Sequence, residues 1–302
     1  MLFKRQILPL ITLIAISFSL LALSGCTPNT QAKRTHPQSI RVVSSLDFYG
    51  EAAKAVLGDK GTVTSIIDKP SMEPHEFEAT TQTAKTVSDA DVVIYNGLGY
   101  DSWMTRLTQD TQAATVNVSG NVMHKNDGDN EHVWYDMKTM PKLARYLVKK
   151  FSTLQPQNKA YFAANAKRYI NSLTPLQRKV AQLKANSNGA RVNVSEPVFD
   201  YALTEMGYHQ NNNHYAQAVQ NDTDPSPKDI KQMQADITNH KIAFFVVNSQ
   251  EISKMTTNLL QLAYKSHVPV VKVTESQPAH TTYEQWMMRQ FNQVQAAQRA
   301  TD

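Results

Sequence analysis

Residues 40–67 read IRVVSSLDFYGEAAKAVLGDKGTVTSII, and they carry the clearest signal of the fold class. A short run rich in β-branched residues, 40–45, is followed by residues 48–57, whose apolar positions have helical spacing and which Gly58 ends. A second strand-like run covers residues 62–67. Because a strand, a helix and a strand in succession form a parallel pair with a crossover, the stretch predicts a parallel sheet with helices on its faces.

The alternation of strands and helices continues to the C-terminus. The predicted strands are 91–95, 114–118, 191–194, 242–247 and 268–273, and the predicted helices are 80–88, 101–107, 138–151, 157–184, 198–206, 228–239, 253–265 and one from Tyr283. The longest would span about 40 Å as one helix, which Pro175 is expected to kink. We therefore expect an α/β protein of two lobes, each a mainly parallel sheet flanked by helices, joined by one long rigid helix. A single large α/β domain is the alternative.

The N-terminus combines two basic residues, an apolar stretch and the only cysteine of the chain. Lys4 and Arg5 precede the apolar residues 7–23, and Cys26 follows directly after a serine and a glycine. About 17 apolar residues are marginal for a membrane span, so a transmembrane helix is the weaker interpretation. The pattern resembles the lipobox of bacterial lipoproteins. That resemblance implies cleavage before Cys26 and a diacylglyceryl thioether on its sulfur.

These features divide the chain into five predicted segments: a lipoprotein signal peptide 1–25, a lipid-anchored flexible tether 26–38, an N-terminal α/β lobe 39–150, a linking helix 151–188 and a C-terminal α/β lobe 189–302. The formal net charge is +5, and removal of Lys4 and Arg5 lowers it to about +3. The remaining basic residues form no dense run along the sequence. Nucleic acid is therefore a poor candidate for a partner.

The sequence contains only incomplete versions of known catalytic and cofactor-binding motifs. The glycines of Gly97-Leu98-Gly99 lack the third glycine of a dinucleotide-binding turn. His75-Glu76 begins like a zinc-protease helix, but Ala79 occupies the position of the second histidine. The chain has no G-x-S-x-G motif, and a lipidated Cys26 leaves no thiol for a nucleophile. We therefore expect a protein that is not an enzyme.

Polar residues follow several predicted strands, where α/β folds place their ligands. They lie in the segments 71–78, 131–136, 193–201 and 271–275. Any single histidine or glutamate in these segments is more often a surface or hydrogen-bonded residue than a metal ligand. The long separations between them carry no local metal signature, so spacing alone does not define a site.

The ordered set of these segments is more specific for a protein family than any single segment is. EPHEFE (73–78), NGLGYDSW (96–103), HVWYD (132–136), SEPVFDY (195–201) and DPSPK (224–228) occur in this order, with Tyr283 and Asn292 near the end. The combination is similar to the zinc- and manganese-type solute-binding lipoproteins of bacterial ABC importers, over nearly the whole mature chain. The resemblance implies two α/β lobes with a divalent metal in the cleft between them.

The resemblance also implies a ligand set and partners. The family's metal ligands fall on His75 and His132 in the first lobe and on Glu196 and Glu275 in the second. The expected partners are an ABC permease with its ATPase subunit, and the expected location is the extracytoplasmic face of the cell membrane, where Cys26 anchors a monomer.

The sequence departs from the family pattern at several positions. Many zinc-importing members have histidine in place of Glu196, and aspartate is usual in place of Glu275. Glu251 is a competitor for the last ligand, and Asn248 is expected to support the site without coordinating. Residues 124–131 replace a longer, histidine-rich loop and are expected to form a solvated surface turn.

Two neutral imidazoles and two carboxylates balance the charge of a dication. Because the carboxylate oxygens allow a coordination number above four, the set suits Mn²⁺ slightly better than Zn²⁺, although Zn²⁺ binds more tightly at most such sites. Either metal is therefore a candidate cargo. Two other functions stay open: a surface adhesion lipoprotein with a structural metal, and a secreted zinc hydrolase in which Glu73 or Glu76 acts as the base.

Overall fold

The strand β1, Ile40–Leu46, forms the centre of the first sheet, and its side chains are almost entirely buried. The computed structural model describes residues 38–109 and 111–301. The other strands of the first sheet are β2 (Gly61–Ile67), β3 (Val92–Tyr95) and β4 (Ala114–Asn117), and those of the second sheet are β5 (Arg191–Val194), β6 (His209–Gln210), β7 (Phe245–Asn248) and β8 (Val270–Val273). The strand orders are β2-β1-β3-β4 and β6-β5-β7-β8, and every described pair is parallel. The predicted fold class is confirmed.

Helices cover both sheets. The described α-helices are α1 (Asp47–Leu57), α2 (Thr81–Ser88), α3 (Ser102–Thr108), α4 (Thr139–Leu154), α5 (Lys159–Ser172), α6 (Thr174–Ala185), α7 (Asp200–Glu205), α8 (Asn213–Gln220), α9 (Pro227–Thr238), α10 (Lys254–Lys265) and α11 (Tyr283–Thr301). A π-helical turn at Val118–Val122 and 3-10 turns at Val133–Tyr135, Pro156–Asn158 and Pro197–Phe199 complete the list of helical segments. None of these helices is long and apolar enough to cross a membrane.

Helix α1 shows how the sequence specifies these elements. Asp47 lies in its first turn, where the helix dipole favours a negative charge. Phe48, Ala52 and Val56 share a buried face that packs on the first sheet. The helix ends at Gly58, which has a φ of 60° and whose amide donates to the Lys54 carbonyl.

The segment that links the two sheets is helical, as predicted, but it consists of two consecutive helices with Leu173 between them. Pro175 lies in the first turn of α6 and has no N–H with which to continue the hydrogen-bond ladder from α5. Helix α5 packs against α1 and α4, whereas α6 packs against α11. Leu173 is therefore the point at which the chain passes from the first lobe to the second.

Aromatic residues of the two lobes pack against one another. The rings of Trp134 and Trp286 both contact Phe48, with ring centroids 5.4 and 5.5 Å from it. The Tyr283 hydroxyl donates to the Trp134 carbonyl at 2.5 Å, and the Tyr135 hydroxyl donates to a carbonyl of the second lobe at 2.6 Å. These buried bonds fix the backbone directly after His132.

The predicted signal peptide, the lipid on Cys26 and most of the predicted tether fall on residues 1–37, outside the described part of the chain.

Candidate metal centre

The polar residues that follow the strands meet at the carboxyl edges of the two sheets. Glu196 follows β5 and Glu275 follows β8, while His75 lies in the loop after β2. Parallel strands bring their carboxyl ends to one edge, so short connections place these side chains close together. A cleft of about 220 Å³ is lined by His75, Glu196 and Glu275, together with Glu73 and Glu251.

His132 is fully buried and its ring is held in one orientation. The ring Nδ1 lies 2.8 Å from Oδ1 of Asn130, and the His132 backbone amide donates to the same oxygen. The Asn130 amide in turn donates to the Pro197 carbonyl at 2.6 Å. With Asn130 oxygen as acceptor, Nδ1 carries the hydrogen and Nε2 keeps a lone pair. Nε2 is buried without a hydrogen-bond partner, which is the geometry of a histidine ready to bind a metal.

Glu275 lies beside this free nitrogen. It is 6% exposed, and its Oε2 is 3.7 Å from Nε2 of His132. Its Oε1 accepts a hydrogen bond of 2.6 Å from the side-chain amide of Asn248. Burial acts to raise the pKa of Glu275, but without a metal the protonated form of the His132 ring outweighs burial, and the pKa is lowered overall. The same pair raises the pKa of His132 against the opposite effect of its burial.

His75 reaches the cleft from the first lobe. Single ligand atoms of Glu73, His75 and Glu275 all lie within 4.8 Å of one another. The His75 ring packs edge-on against Tyr100, with centroids 4.6 Å apart, and its side chain is 38% exposed. Trp103 holds the loop by donating from its indole nitrogen to the Pro74 carbonyl at 3.2 Å. His75 is therefore exposed on one side, whereas Glu275 and Tyr100 beside it are buried.

Glu196 is 8% exposed, and its Oε1 is buried without a hydrogen-bond partner. Burial and the negative charge of Glu275 raise the pKa of Glu196 to about 8. Burial and Glu275 also raise the pKa of Glu73, to about 7. Carboxylates crowded in this way repel one another when ionised, and a cation among them removes that cost.

The four predicted ligands are thus distributed as follows. His75 and Glu275 belong to one compact group, His132 lies next to Glu275, and Glu196 lines the same cleft. Glu251 also lines the cleft, but it is exposed. Two imidazole nitrogens and several carboxylate oxygens around one small space are donors suited to a divalent transition metal.

Glu73 and Asn130 are not among the predicted ligands or their supports. Both stand two residues before a predicted histidine ligand, and each accepts a hydrogen bond from that histidine's backbone amide. An asparagine two residues before a candidate ligand is a local signal, because its side chain commonly binds the backbone two positions on. The carboxylate of Glu73 carries no comparable signal, since glutamates near a binding loop are common on surfaces.

The predicted solvated turn is exposed at its start, whereas Asn130 and Glu131 at its end are partly buried. His124 and Asp127 are exposed, and Asp129 accepts a hydrogen bond of 2.9 Å from the Asn126 amide.

The chain is similar in sequence and in fold to known proteins. The chain is 28% identical over 162 residues to the manganese-binding lipoprotein MntA of Halalkalibacterium halodurans, a match that covers 52% of this chain and 54% of that protein. It is 25% identical over 266 residues to the manganese ABC transporter substrate-binding lipoprotein PsaA of Streptococcus anginosus, covering 82% and 84% of the two chains. The chain thus spans about half of the first relative and most of the second.

Among solved structures, the chain is similar to a Mn-bound periplasmic metal binding protein from Candidatus Liberibacter asiaticus. The TM-score is 0.69 at 18% sequence identity, over 86% of this chain and all of the other. At this identity the likeness shows that the fold is shared. The family described as ZnuA, zinc-uptake complex component A periplasmic, matches residues 42–297, so the chain belongs to that family.

Proposed function

We propose that this protein is an extracytoplasmic solute-binding lipoprotein that captures Mn²⁺ or Zn²⁺ and delivers it to an ABC permease for uptake. The proposed ligands are His75, His132, Glu196 and Glu275. The names of the relatives MntA and PsaA, which describe manganese binding and ABC transport, support this reading.

One observation carries the proposal more than any other. Nε2 of His132 and Oε1 of Glu196 are both buried and both lack a hydrogen-bond partner. Buried polar atoms in folded proteins nearly always have a partner, because an unpaired one costs about 1–3 kcal/mol. A metal ion bound in the cleft would satisfy both atoms at once.

The charges of the site agree with a dication. Two neutral histidines with ionised Glu196 and Glu275 supply two negative charges, which balance a divalent ion. Glu73 is a further donor within reach, since its carboxylate belongs to the same compact group as His75 and Glu275. Additional oxygen donors raise the coordination number and favour Mn²⁺ slightly over Zn²⁺ in this respect.

We propose a role in binding and not in catalysis. A metal hydrolase needs an open coordination position with an activated water and a general base beside it. Here the proposed ligand set uses both histidines and the buried carboxylates for binding, and the relatives are described as binding and transport proteins.

Location and partners complete the proposal. Cys26 would anchor the monomeric protein to the outer face of the membrane through a diacylglyceryl group, and residues 26–38 would tether the body. We divide that body into lobes 39–150 and 189–302 with the linking segment 151–188 between them, although α4 extends to Leu154. The partners would be the permease and its ATPase subunit.

Metal analysis tests the proposal. Protein purified without chelator is expected to contain about one equivalent of Mn²⁺ or Zn²⁺, and competition titrations then rank the two metals. Binding at one site with no hydrolysis of peptide or ester substrates supports a capture protein. Protein that takes up neither metal contradicts the proposal.

A further inference from the structure

A long stretch of the chain contains basic residues only. Between Asp136 and Glu196 there is no aspartate or glutamate, yet these residues include twelve lysines and arginines, whereas the whole chain has a formal charge of +5. The stretch contains helices α4, α5 and α6. Positive charge is therefore concentrated on consecutive helices, although no dense run is visible in the sequence.

Helices α4 and α5 form a groove with cations from both helices along it. The groove has a volume of about 410 Å³ and an apolar floor that includes Val148 and Ile170. Arg145 and Lys149 from α4 and Lys167 from α5 line it and are exposed. Within the described residues none of these three cations has an ion-pair partner.

The chain enters the folded body next to this helix pair. The carbonyl of Gln38, the first described residue, accepts a hydrogen bond of 3.2 Å from the side chain of Gln155, directly after α4. Lys149 lies six positions before Gln155, about 9 Å along the helix. The twelve residues from Cys26 to Gln38 reach at most about 40 Å when fully extended. If Cys26 carries the proposed lipid, this end of the body stays within that distance of the bilayer.

The acidic residues of the metal cleft lie on other elements of the fold. Glu73, Glu196, Glu251 and Glu275 all line the metal cleft, and none of them belongs to α4, α5 or α6. The α4–α5 groove and the cleft share no lining residue, so a ligand held in the groove would not occupy the proposed metal ligands.

We propose that the α4–α5 face docks on the anionic phospholipid headgroups of the membrane to which the protein is anchored, with a lipid phosphate at the groove of Arg145, Lys149 and Lys167. Basic side chains near an anionic leaflet are attracted to it within about one Debye length. Their aliphatic stems lie along apolar surface while their charged ends reach the phosphates. Docking would hold the body in one orientation on the membrane, with the cleft free to meet a permease there.

The test uses the full lipid-anchored chain in vesicles. Cys26 is the only cysteine, and the proposed lipid would block its thiol. Ala163→Cys then introduces a single free thiol at an exposed position of the groove for a fluorescent label. Gln261→Cys, exposed on α10, is the control position. Quenching by headgroup nitroxide lipids is compared between phosphatidylcholine vesicles and vesicles with about one-third phosphatidylglycerol. Co-flotation with the vesicles measures anchoring by itself, so a failure of the lipid anchor is seen separately.

The label at position 163 is expected to be quenched at least about threefold more on the anionic vesicles, and about 0.5 M salt should remove the difference. The label at position 261 should show no such difference. Equal quenching at position 163 on both vesicle types overturns the proposal. If soluble polyphosphate covers the label at position 163 while vesicles do not quench it, the face binds another polyanion. That result would also overturn the proposal.

Charge reversal supplies the matched comparison. The face variant combines Arg145→Glu, Lys149→Glu and Lys167→Glu. The control variant reverses three exposed cations of α9 and α10: Lys228→Glu, Lys231→Glu and Lys265→Glu. Only the face variant is expected to lose the dependence on headgroup charge, while both keep wild-type metal affinity. Loss in both variants, or in neither, contradicts a specific α4–α5 docking face.

Discussion

Glu196→Gln should make the metal-free protein more stable and the metal site weaker. In the folded protein the pKa of this carboxyl is raised from its ordinary value of 4.5 to about 8, because the group is buried and lies near Glu275. At pH 7 the unfolded chain ionises Glu196 freely, whereas the folded protein keeps it mostly protonated. The raised pKa therefore destabilises the folded state, and this effect grows between pH 4.5 and pH 8.

The size of the effect follows from the two pKa values. At pH 7 the difference from the unfolded value is about 2.5 pH units, which corresponds to up to about 3 kcal/mol. Glutamine resembles the protonated acid in shape and does not ionise in the unfolded chain. We expect the variant to gain up to this amount in free energy of unfolding at pH 7 and almost none at pH 4.5.

The same substitution removes an anionic metal ligand. Metal affinity should fall at least about 100-fold, or about 2.7 kcal/mol. With a pKa of about 8, roughly nine in ten Glu196 side chains carry a proton at pH 7, and metal binding must displace it. The variant should therefore release about one proton fewer per bound metal.

Urea unfolding of the metal-free protein at both pH values measures the first effect, and calorimetry in two buffers of different ionisation enthalpy measures affinity and proton release. Glu251→Gln is the matched control, since Glu251 lines the same cleft but is exposed. A variant that is no more stable than wild type at pH 7, or that gains equally at pH 4.5, refutes the reasoning about burial and repulsion.

Three further predictions concern the ligands and the anchor. His75→Ala and His132→Ala should each weaken metal binding at least about tenfold, or about 1.4 kcal/mol, in calorimetry. His124→Ala, in the exposed turn, is the control and should leave the affinity unchanged. Unchanged binding in both ligand variants would show that these histidines do not bind the metal. Glu196→His should raise the ratio of zinc to manganese affinity about tenfold in paired titrations at fixed pH, because a neutral nitrogen replaces an anionic oxygen; a constant ratio would show that Glu196 does not contact the metal. Cys26→Ser should abolish membrane partitioning and leave uncleaved precursor, and wild-type protein that is soluble with Met1 still in place would defeat the anchoring proposal.

The sequence predicted the architecture well because periodicity is a local property. The strand Arg191–Val194 has the predicted bounds, and the last helix begins at Tyr283, as expected. Short or polar elements escaped the prediction: β6 has two residues, and α8, Asn213–Gln220, is rich in asparagine and glutamine. Neither element offers enough apolar positions to establish a period.

The site was less predictable from the residues themselves. His75 and His132 are separated by 57 positions, and only the fold brings both beside Glu275. Their selection depended on resemblance to a family. Glu196 is buried and repelled by Glu275, and Glu73 lies in one group with His75 and Glu275. Both facts depend on tertiary packing, which no local sequence pattern encodes.

We propose that one divalent metal is held by side chains from both lobes. The most direct measurement is a crystal structure of the Mn²⁺-loaded protein with anomalous diffraction at the manganese edge. We expect a single strong anomalous peak within about 2.0–2.4 Å of ligand atoms of His75, His132, Glu196 and Glu275. A peak that lies outside this cleft, or the absence of any bound metal in fully loaded crystals, would contradict it.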